Sequence, residues 1–220
     1  DPLDRLADLL AVDRDFLATY AELDHYGARD GADYCGPRFL REEGVEPVWP
    51  AGDGPRVFAY LKPQHRDFTA VVSALMNLPC RVLLHAPGLP VQERERLKGK
   101  NVMFSEQPVR MSSVAGQADL AICNSGHGTV AALLLAGCPL LLLPMQLEQI
   151  LVARRVVELG AGYAVQPGDA PPDYAGLLDT LMRDRELRAK AAAFASRHAD
   201  FDQSRQLADI VTRCEVLLAR

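Results

Sequence analysis

The sequence predicts an α/β fold with a doubly wound, parallel, six-stranded sheet. From about residue 56 onward, short runs rich in Val, Leu and Ile alternate with longer amphipathic stretches. These short runs are apolar on both faces, so as strands they need helices on both sides of the sheet and right-handed crossovers between them. We expect the common strand order 3-2-1-4-5-6.

Each strand is predicted from a short aliphatic run bounded by polar or turn residues. In chain order these runs are 57–61, 81–85, 102–104, 120–123, 140–143 and 162–165. Each helix is predicted from apolar residues that recur at helical spacing between two strands. These stretches are 65–76, 91–97, 111–117, 129–136 and 147–159, and three more helices at 174–182, 185–197 and 203–218 close the chain.

The first part of the chain lacks this regular alternation. Short helices are predicted at 3–11 and 14–23, followed by a strand at 32–35 that ends at a Gly-Pro pair. From residue 38 to residue 55 the apolar periodicity stops, and glycine and proline become frequent. Such a composition is typical of a linker or a long connection.

Composition and charge narrow the classes of function. The 220 residues include 24 Lys and Arg against 29 Asp and Glu, a formal net charge of −5, which disfavours a basic nucleic-acid binder. Hydrophobic residues make up 49% of the chain, enough for a sizeable core. The five cysteines stand singly, with no zinc-type spacing to the five histidines, so we expect reduced thiols and no metal site.

The sequence also argues against a membrane protein. The longest apolar stretch, 130–143, is broken by a Gly-Cys-Pro turn and is shorter than the roughly 18 residues that a membrane helix needs. The first residues lack the basic and then apolar order of a signal peptide. We therefore expect a cytoplasmic protein with no integral membrane segment.

The ligand of a doubly wound sheet binds at the carboxyl ends of the strands, where the strand order reverses. Two loops should meet there, one that follows the first strand and begins at Lys62, and one that follows the fourth. The second loop opens a helix, and its glycines and free N–H groups suit phosphate oxygens. Alternatively, a hydroxyl of this loop only caps the helix and the glycines only permit a tight turn. The candidate residues of this loop are Asn124, Ser125, Gly126, His127, Gly128 and Thr129.

The end of the fifth strand supplies a second polar rim. Glu148 and Gln149 follow it closely, and such side chains can hydrogen-bond several sugar hydroxyls at once. Considered alone, they are ordinary residues of a first helical turn, where a carboxylate suits the helix dipole. Their pairing with the glycine loop favours a binding site.

The stretch from 124 to 162 resembles the donor-binding segment of the GT-B glycosyltransferases related to macrolide, plant secondary-metabolite and UDP-glucuronosyl-type (family 1) transferases. The family pattern is approximately H-G-G-x-G-T-x-x-E-A-L-x-x-G-V-P-x-x-x-x-P-x-x-x-D-Q. Here it reads N-S-G-H-G-T-V-A-A-L-L-L-A-G-C-P-L-L-L-L-P-M-Q-L-E-Q. The resemblance implies the Rossmann-like C-terminal half of a GT-B fold.

The resemblance also implies roles for individual residues. The loop 124–129 would hold the donor diphosphate, and Glu148 and Gln149 would contact sugar hydroxyls. Lys62 would reach a phosphate, unless it is only a surface lysine. The nucleotide base would lie near a turn that is otherwise an ordinary connection between a strand and a helix, formed by Gln107, Pro108, Val109 and Arg110.

Three positions depart from the family pattern. The histidine that commonly contacts the diphosphate is Asn124, the glutamate that commonly binds ribose hydroxyls is Ala132, and the aspartate before the glutamine is Glu148. His127 either substitutes for the lost histidine or packs at the helix start. Without the ribose carboxylate, UDP and TDP sugars are both candidate donors, or donor binding is weak.

The resemblance implies a division of the chain. Residues 1–36 would be the tail of an N-terminal acceptor domain, 37–55 a linker, 56–202 the donor-binding domain, and 203–220 a helix that returns toward the acceptor domain. The acceptor domain, with the unassigned catalytic base, would belong to the same protein or to a separate subunit. This chain alone would then transfer no sugar.

We therefore expect the donor half of an enzyme that moves a sugar from a nucleotide diphosphate sugar to a hydroxyl of a small molecule, without a metal or a cofactor. A non-catalytic nucleotide-sugar binding module, or the donor subunit of a split transferase, is the alternative. A nucleotide-sugar epimerase of the same fold ranks lower. A dinucleotide dehydrogenase is disfavoured because no G-x-G-x-x-G follows the first strand.

Overall fold

The structure, a computed structural model, describes residues 5–6, 12–39 and 44–219. Its centre is one parallel sheet of six strands in the order β3-β2-β1-β4-β5-β6, as predicted. The order reverses between β1 and β4, which are direct neighbours. The strands are β1 (Arg56–Tyr60), β2 (Arg81–His85), β3 (Val102–Ser105), β4 (Leu120–Cys123), β5 (Leu140–Leu142) and β6 (Gly162–Ala164).

Eight α-helices accompany the sheet within the described residues. The first helix begins at Phe68, three residues later than predicted. The residues before Phe68 instead form a turn, in which the His65 N–H donates to the Lys62 carbonyl. No helix in the described part of the chain has the length and apolarity to cross a bilayer. The helices are α1 (Phe68–Met76), α2 (Val91–Arg96), α3 (Met111–Ala115), α4 (His127–Leu135), α5 (Leu147–Glu158), α6 (Tyr174–Arg183), α7 (Arg185–Arg197) and α8 (Gln203–Leu218).

Both faces of the sheet are buried, which confirms the doubly wound prediction. Alternate strand residues point to opposite faces, so Val57 joins the core under α1 and α6, whereas Phe58 joins the core under α3, α4, α5 and α7. Consequently the chain leaves β1 toward one face and leaves β4 toward the other. A crevice opens between these two connections.

The helix predicted at 14–23 does not form, apart from a short 3-10 turn at Ala21–Leu23. Tertiary contacts explain this: the Cys35 N–H donates to the Leu17 carbonyl, which closes the segment, and Leu23 is fully buried in the core beside α4 and α5. The strand predicted at 32–35 contributes only a single bridge, from Tyr34 to Leu17. The helix predicted at 3–11 lies outside the described residues except for positions 5–6.

The last helix packs against this N-terminal segment. The Gln206 amide donates to the carbonyls of Cys35, Gly36 and Pro37 at 2.8, 2.6 and 3.2 Å. Arg213 forms an ion pair with Asp33 at 2.7 Å. Residues from both ends of the chain are therefore joined on the α4, α5 and α7 side of the sheet.

Candidate functional site

The floor of the crevice is Asn124, the first residue after β4. Its Oδ1 accepts a hydrogen bond from the Lys62 backbone N–H at 2.8 Å, and its Nδ2 donates to the Leu143 carbonyl at 2.8 Å. The residue is buried. One side chain thus ties together the carboxyl ends of β1, β4 and β5. Its oxygen and one N–H are used inside the protein, which makes Asn124 a structural link rather than the free amide donor expected from the sequence.

Ser125 adopts a backbone conformation that is unusual for a residue with a side chain. Its φ is 59°, it is fully buried, and its Oγ has no hydrogen-bond partner among the described residues. Its backbone donates toward the Cys123 thiol, whose pKa burial raises to about 11. Ser125 is therefore shielded from a ligand by its burial, and the accessible part of the loop begins at Gly126.

The start of α4 keeps its N–H groups unpaired. The first helical bond runs from the Val130 N–H to the Gly126 carbonyl, and in the described structure the N–H groups of residues 126–129 meet no acceptor. No side chain caps this helix, which excludes the alternative that Ser125 or Thr129 is only a cap. Together with the helix dipole, such N–H groups favour a bound anion.

The same helix start is open to solvent. Gly128 is exposed, and Gly126 and Thr129 are half-buried. A Cβ atom added at either glycine would meet no atom within 4 Å. The structure therefore leaves space for a ligand directly beside the unpaired N–H groups.

His127 lies at the first position of α4 and points to the N-terminal segment. Its Nε2 lies 2.7 Å from the Thr19 Oγ1. Burial, with a smaller contribution from His25, lowers the pKa of the imidazole below its usual range. His127 is consequently neutral at pH 7 and packs at the helix start, the second of the two roles expected from the sequence.

The loop after β1 holds polar residues that the sequence analysis overlooked. His65 is buried, its Nδ1 accepts from the Asp67 N–H at 3.1 Å, and burial lowers its pKa. Arg66 donates to three carbonyls of the loop that follows β6, at 2.6 to 3.2 Å. Lys62 is exposed, and no carboxylate pairs with it within the described ranges. Four consecutive polar residues, 64–67, closely follow β1 at the switch point, and this run was the signal available in the sequence.

The rim after β5 combines one buried and one exposed side chain. The Gln149 Oε1 accepts from the Met145 N–H at 2.8 Å, so this residue shapes the turn. Glu148 is exposed at the first turn of α5. Of the two residues expected to contact a sugar, Glu148 is therefore the one whose carboxylate projects freely.

The turn expected near a nucleotide base is partly used by the protein itself. Val45 donates to the Pro108 carbonyl and accepts from the Arg110 N–H, both at 2.9 Å, and Arg110 pairs with Glu46. Val109 is buried, whereas Gln107 and Pro108 are exposed. A cavity of about 300 Å³ lies beside this turn, lined in part by Val48, Met103 and Phe104.

Among the residues that the structure describes, no group of three or more His, Cys, Asp or Glu side chains is placed to hold a metal ion. At the start of α4 the unpaired polar groups are backbone N–H groups.

Curated relatives share sequence with part of this chain. An enzyme of Mycobacterium sp. (strain KMS) named UDP-N-acetylglucosamine–N-acetylmuramyl-(pentapeptide) pyrophosphoryl-undecaprenol N-acetylglucosamine transferase is 35% identical over 105 residues, which is 46% of this chain and 28% of that protein. The enzyme of the same name from Gloeobacter violaceus is 33% identical over 110 residues, 48% of this chain and 31% of that protein. The chain spans less than a third of the length of these relatives.

Solved structures share its fold. The glycotransferase of kitacinnamycin has a TM-score of 0.72 at 19% identity, covering 91% of this chain and 55% of that one. The glycosyltransferase SnogD from Streptomyces nogalater has a TM-score of 0.66 at 19% identity, and the match covers 90% of this chain and 56% of SnogD. The glycosyltransferase VinC in complex with DTDP has a TM-score of 0.66 at 21% identity, and the match covers 79% of this chain and 45% of VinC.

The sequence pattern described as Glycosyltransferase family 28 C-terminal domain matches residues 83–205, which is more than half of the 220 residues. This match includes β4, the glycine loop, α4 and the rim after β5. The all-parallel sheet agrees with the solved structures. The chain therefore belongs to the glycosyltransferase family 28 C-terminal domains, and its fold is the Rossmann-like C-terminal half of a GT-B glycosyltransferase.

Proposed function

We propose that this chain binds the diphosphate of a nucleotide sugar at the start of α4 and forms the donor half of a glycosyltransferase. The observation that carries the proposal is the set of unpaired N–H groups at residues 126–129, open to solvent at the switch point of the sheet. Glu148 would contact sugar hydroxyls. The turn 107–110 and its cavity would receive the base.

The donor half of a glycosyltransferase has to stabilise the leaving group. Sugar transfer needs a base that deprotonates the acceptor hydroxyl and a nucleotide diphosphate that departs with growing negative charge. The N–H groups and dipole of α4 would stabilise that charge without a metal ion. The base and the acceptor pocket would lie on a companion domain, in the same protein or in a separate subunit.

The nucleotide is the second part of the proposal. Ala132 is half-buried on α4 and offers no carboxylate to a ribose. A carboxylate at this position would hydrogen-bond the 2′-hydroxyl of ribose, which deoxyribose lacks. Without the carboxylate, this contact does not distinguish the two sugars. We infer that UDP and TDP sugars are both donors. The curated relatives named for UDP-N-acetylglucosamine support UDP. The structure of VinC in complex with DTDP supports TDP.

The acceptor would be a hydroxyl of a small molecule, whereas the curated relatives are named for an acceptor carried on pyrophosphoryl-undecaprenol. We expect this chain alone to transfer no sugar, because the acceptor site and the base lie elsewhere. Incubation with UDP and TDP sugars and a panel of hydroxylated acceptors tests this. Robust sugar transfer by the isolated chain would contradict the proposal that the acceptor site and the base lie on a companion domain.

Binding itself is tested by calorimetric titration with UDP and TDP. His127→Pro removes one N–H at the first position of α4, where proline is tolerated, since Gly126 before it is extended. His127→Ala loses the same imidazole and keeps the N–H, so it is the matched control. We expect the proline variant to bind about tenfold more weakly than the alanine variant, the effect of one hydrogen bond to a charged group.

Two results would contradict the proposal. One is the absence of heat with both nucleotides at millimolar concentration. The other is equal affinity of the proline and alanine variants, which would mean that the N–H groups of α4 do not contact the ligand.

A further inference from the structure

We propose that Lys62 is the cation that neutralises the donor diphosphate, and that Asn124 is a positioning residue that holds Lys62 at the site. This inference rests on the proposed function. It concerns how the chain compensates for the histidine that the resembled family pattern has at position 124.

The first step is the link itself. The Asn124 Oδ1 fixes the Lys62 N–H at 2.8 Å, while its Nδ2 is anchored on the Leu143 carbonyl at 2.8 Å. Because Asn124 is buried and bonded at both ends of its amide, its contact fixes the place where the chain leaves β1. The proline at 63 restricts Lys62 to extended backbone, which further reduces its freedom.

The second step is elimination among the basic residues in the loops at this end of the sheet. His65 and His127 have lowered pKa values and are neutral at pH 7. Arg66 is bound to three carbonyls and to Asp67, and Arg110 pairs with Glu46. Among these described loop residues, Lys62 is left as the cation without an ion-pair partner.

The third step is the charge that the ligand brings. A helix N-terminus supplies about half an elementary charge, less than a diphosphate carries. Lysine adds a full charge on a flexible four-carbon stem, and Lys62 starts at the neighbouring loop across the crevice. In the loop 124–129, the buried Ser125 Oγ has no hydrogen-bond partner in the described structure. This loop therefore contains a polar group that the protein itself does not pair.

The test compares UDP with uridine, which lacks phosphates. We expect Lys62→Met to weaken UDP binding about tenfold, to reduce its dependence on salt, and to leave uridine binding unchanged, since only the phosphate contact is charged. Lys98→Met is the matched control, because Lys98 is exposed and pairs with Glu95 on the distant α2 connection. This control should bind both compounds as the unmodified chain does.

A double-mutant cycle separates positioning from direct contact. If Asn124 acts through Lys62, Asn124→Ala should weaken UDP binding and the double variant should bind no worse than Lys62→Met. Asn124→Ala should also lose the hydrogen-exchange protection of the Lys62 N–H. Should this variant not fold, Asn124→Leu, which is close to Asn in size and offers the Lys62 N–H no acceptor, takes its place in the same cycle.

The outcomes are distinguishable. UDP binding that is unaffected by Lys62→Met overturns this inference and leaves the proposed function standing. Additive losses in the cycle would show that Asn124 contacts the ligand independently, which also overturns the positioning role. An unmodified chain that binds neither UDP nor TDP overturns the proposed function, and this inference with it.

Discussion

Ser125 concentrates two unfavourable features in one residue. A left-handed backbone costs a non-glycine residue about 1 kcal/mol or more, and a buried hydroxyl without a partner adds a further cost. Both features lie between the Asn124 link and the open N–H groups of α4. The family pattern has glycine at this position, where the left-handed conformation carries no such cost.

We predict that Ser125→Gly raises the free energy of unfolding by about 1 kcal/mol, because the strain and the unpaired hydroxyl are both removed. Ser73→Gly is the control, since Ser73 is exposed within α1 and glycine should cost about 0.5 to 1 kcal/mol there. Chemical denaturation of both variants measures the difference. Equal destabilisation by the two changes would contradict the strain argument.

Two histidines, the buried His65 and the half-buried His127, should make stability depend on pH. Burial lowers the pKa values of His65 and His127; Asp67 opposes this shift at His65, and Glu148 and Asp24 oppose it at His127. In the unfolded chain a histidine titrates near pH 6.5. Between that pH and the lower folded pKa values, the unfolded chain therefore binds more protons than the folded chain, and stability falls as pH decreases.

We predict that the free energy of unfolding declines as pH falls below about 6.5, and that His65→Gln combined with His127→Gln flattens this decline. Denaturation curves between pH 7.5 and 5 measure it. Glu22, whose pKa is lowered, contributes in the same direction at more acidic pH. An unchanged slope in the double variant would show that other groups cause the decline.

At the scale of elements, α8 is joined to the N-terminal segment by polar contacts, and Gln206 makes three of them. Gln206 is buried, and its Nε2 serves three successive carbonyls, whereas much of the outer surface of α8 is exposed. The Gln206 amide thus holds α8 together with the Arg213–Asp33 ion pair and with Gln203, whose Oε1 accepts from the Phe39 N–H at 2.8 Å.

We predict that Gln206→Ala lowers the free energy of unfolding by about 2 kcal/mol, because buried carbonyls lose their donor. Arg205→Ala changes the neighbouring, exposed residue and should stay within about 0.5 kcal/mol of the unmodified chain. Thermal and chemical denaturation compare the two. A similar effect of both variants would mean that the carbonyls are satisfied in another way, for example by water.

At the scale of the whole molecule, the N-terminal segment belongs to the core of the sheet domain. Leu23 is fully buried among residues of α4 and α5, and Tyr20 stacks on His198 with ring centroids 3.8 Å apart. These contacts link residues far apart in the chain. We therefore expect the segment and the sheet to unfold together.

We predict that Leu23→Ala lowers the stability of the entire domain by about 2 to 5 kcal/mol, the usual cost of a large cavity. Tyr26→Ala, at a residue that is 78% exposed, is the control and should have little effect. Fluorescence and far-UV circular dichroism should report one common transition. Separate transitions would show that the segment folds independently of the sheet.

Much of this architecture was predictable from local patterns. Aliphatic runs separated by amphipathic stretches predicted the strands and most helices, because both faces of a parallel sheet must be covered. The strand order was expected from the common arrangement of doubly wound sheets. The position of the glycine loop followed from the switch point. The helix predicted at 14–23 was wrong, since burial of Leu23 and closure of the loop at Leu17 outweigh local helix propensity.

The amino-acid sequence by itself determined the sheet order, the place of the crevice and the resemblance to GT-B glycosyltransferases, because these depend on periodicity and on residues close together in the chain. Only the tertiary structure decided what individual polar residues do. Asn124 turned inward, Ser125 became fully buried and His127 turned to Thr19. Each of these outcomes depends on which atoms happen to be neighbours, and neighbours separated by many residues are fixed by packing rather than by any local pattern.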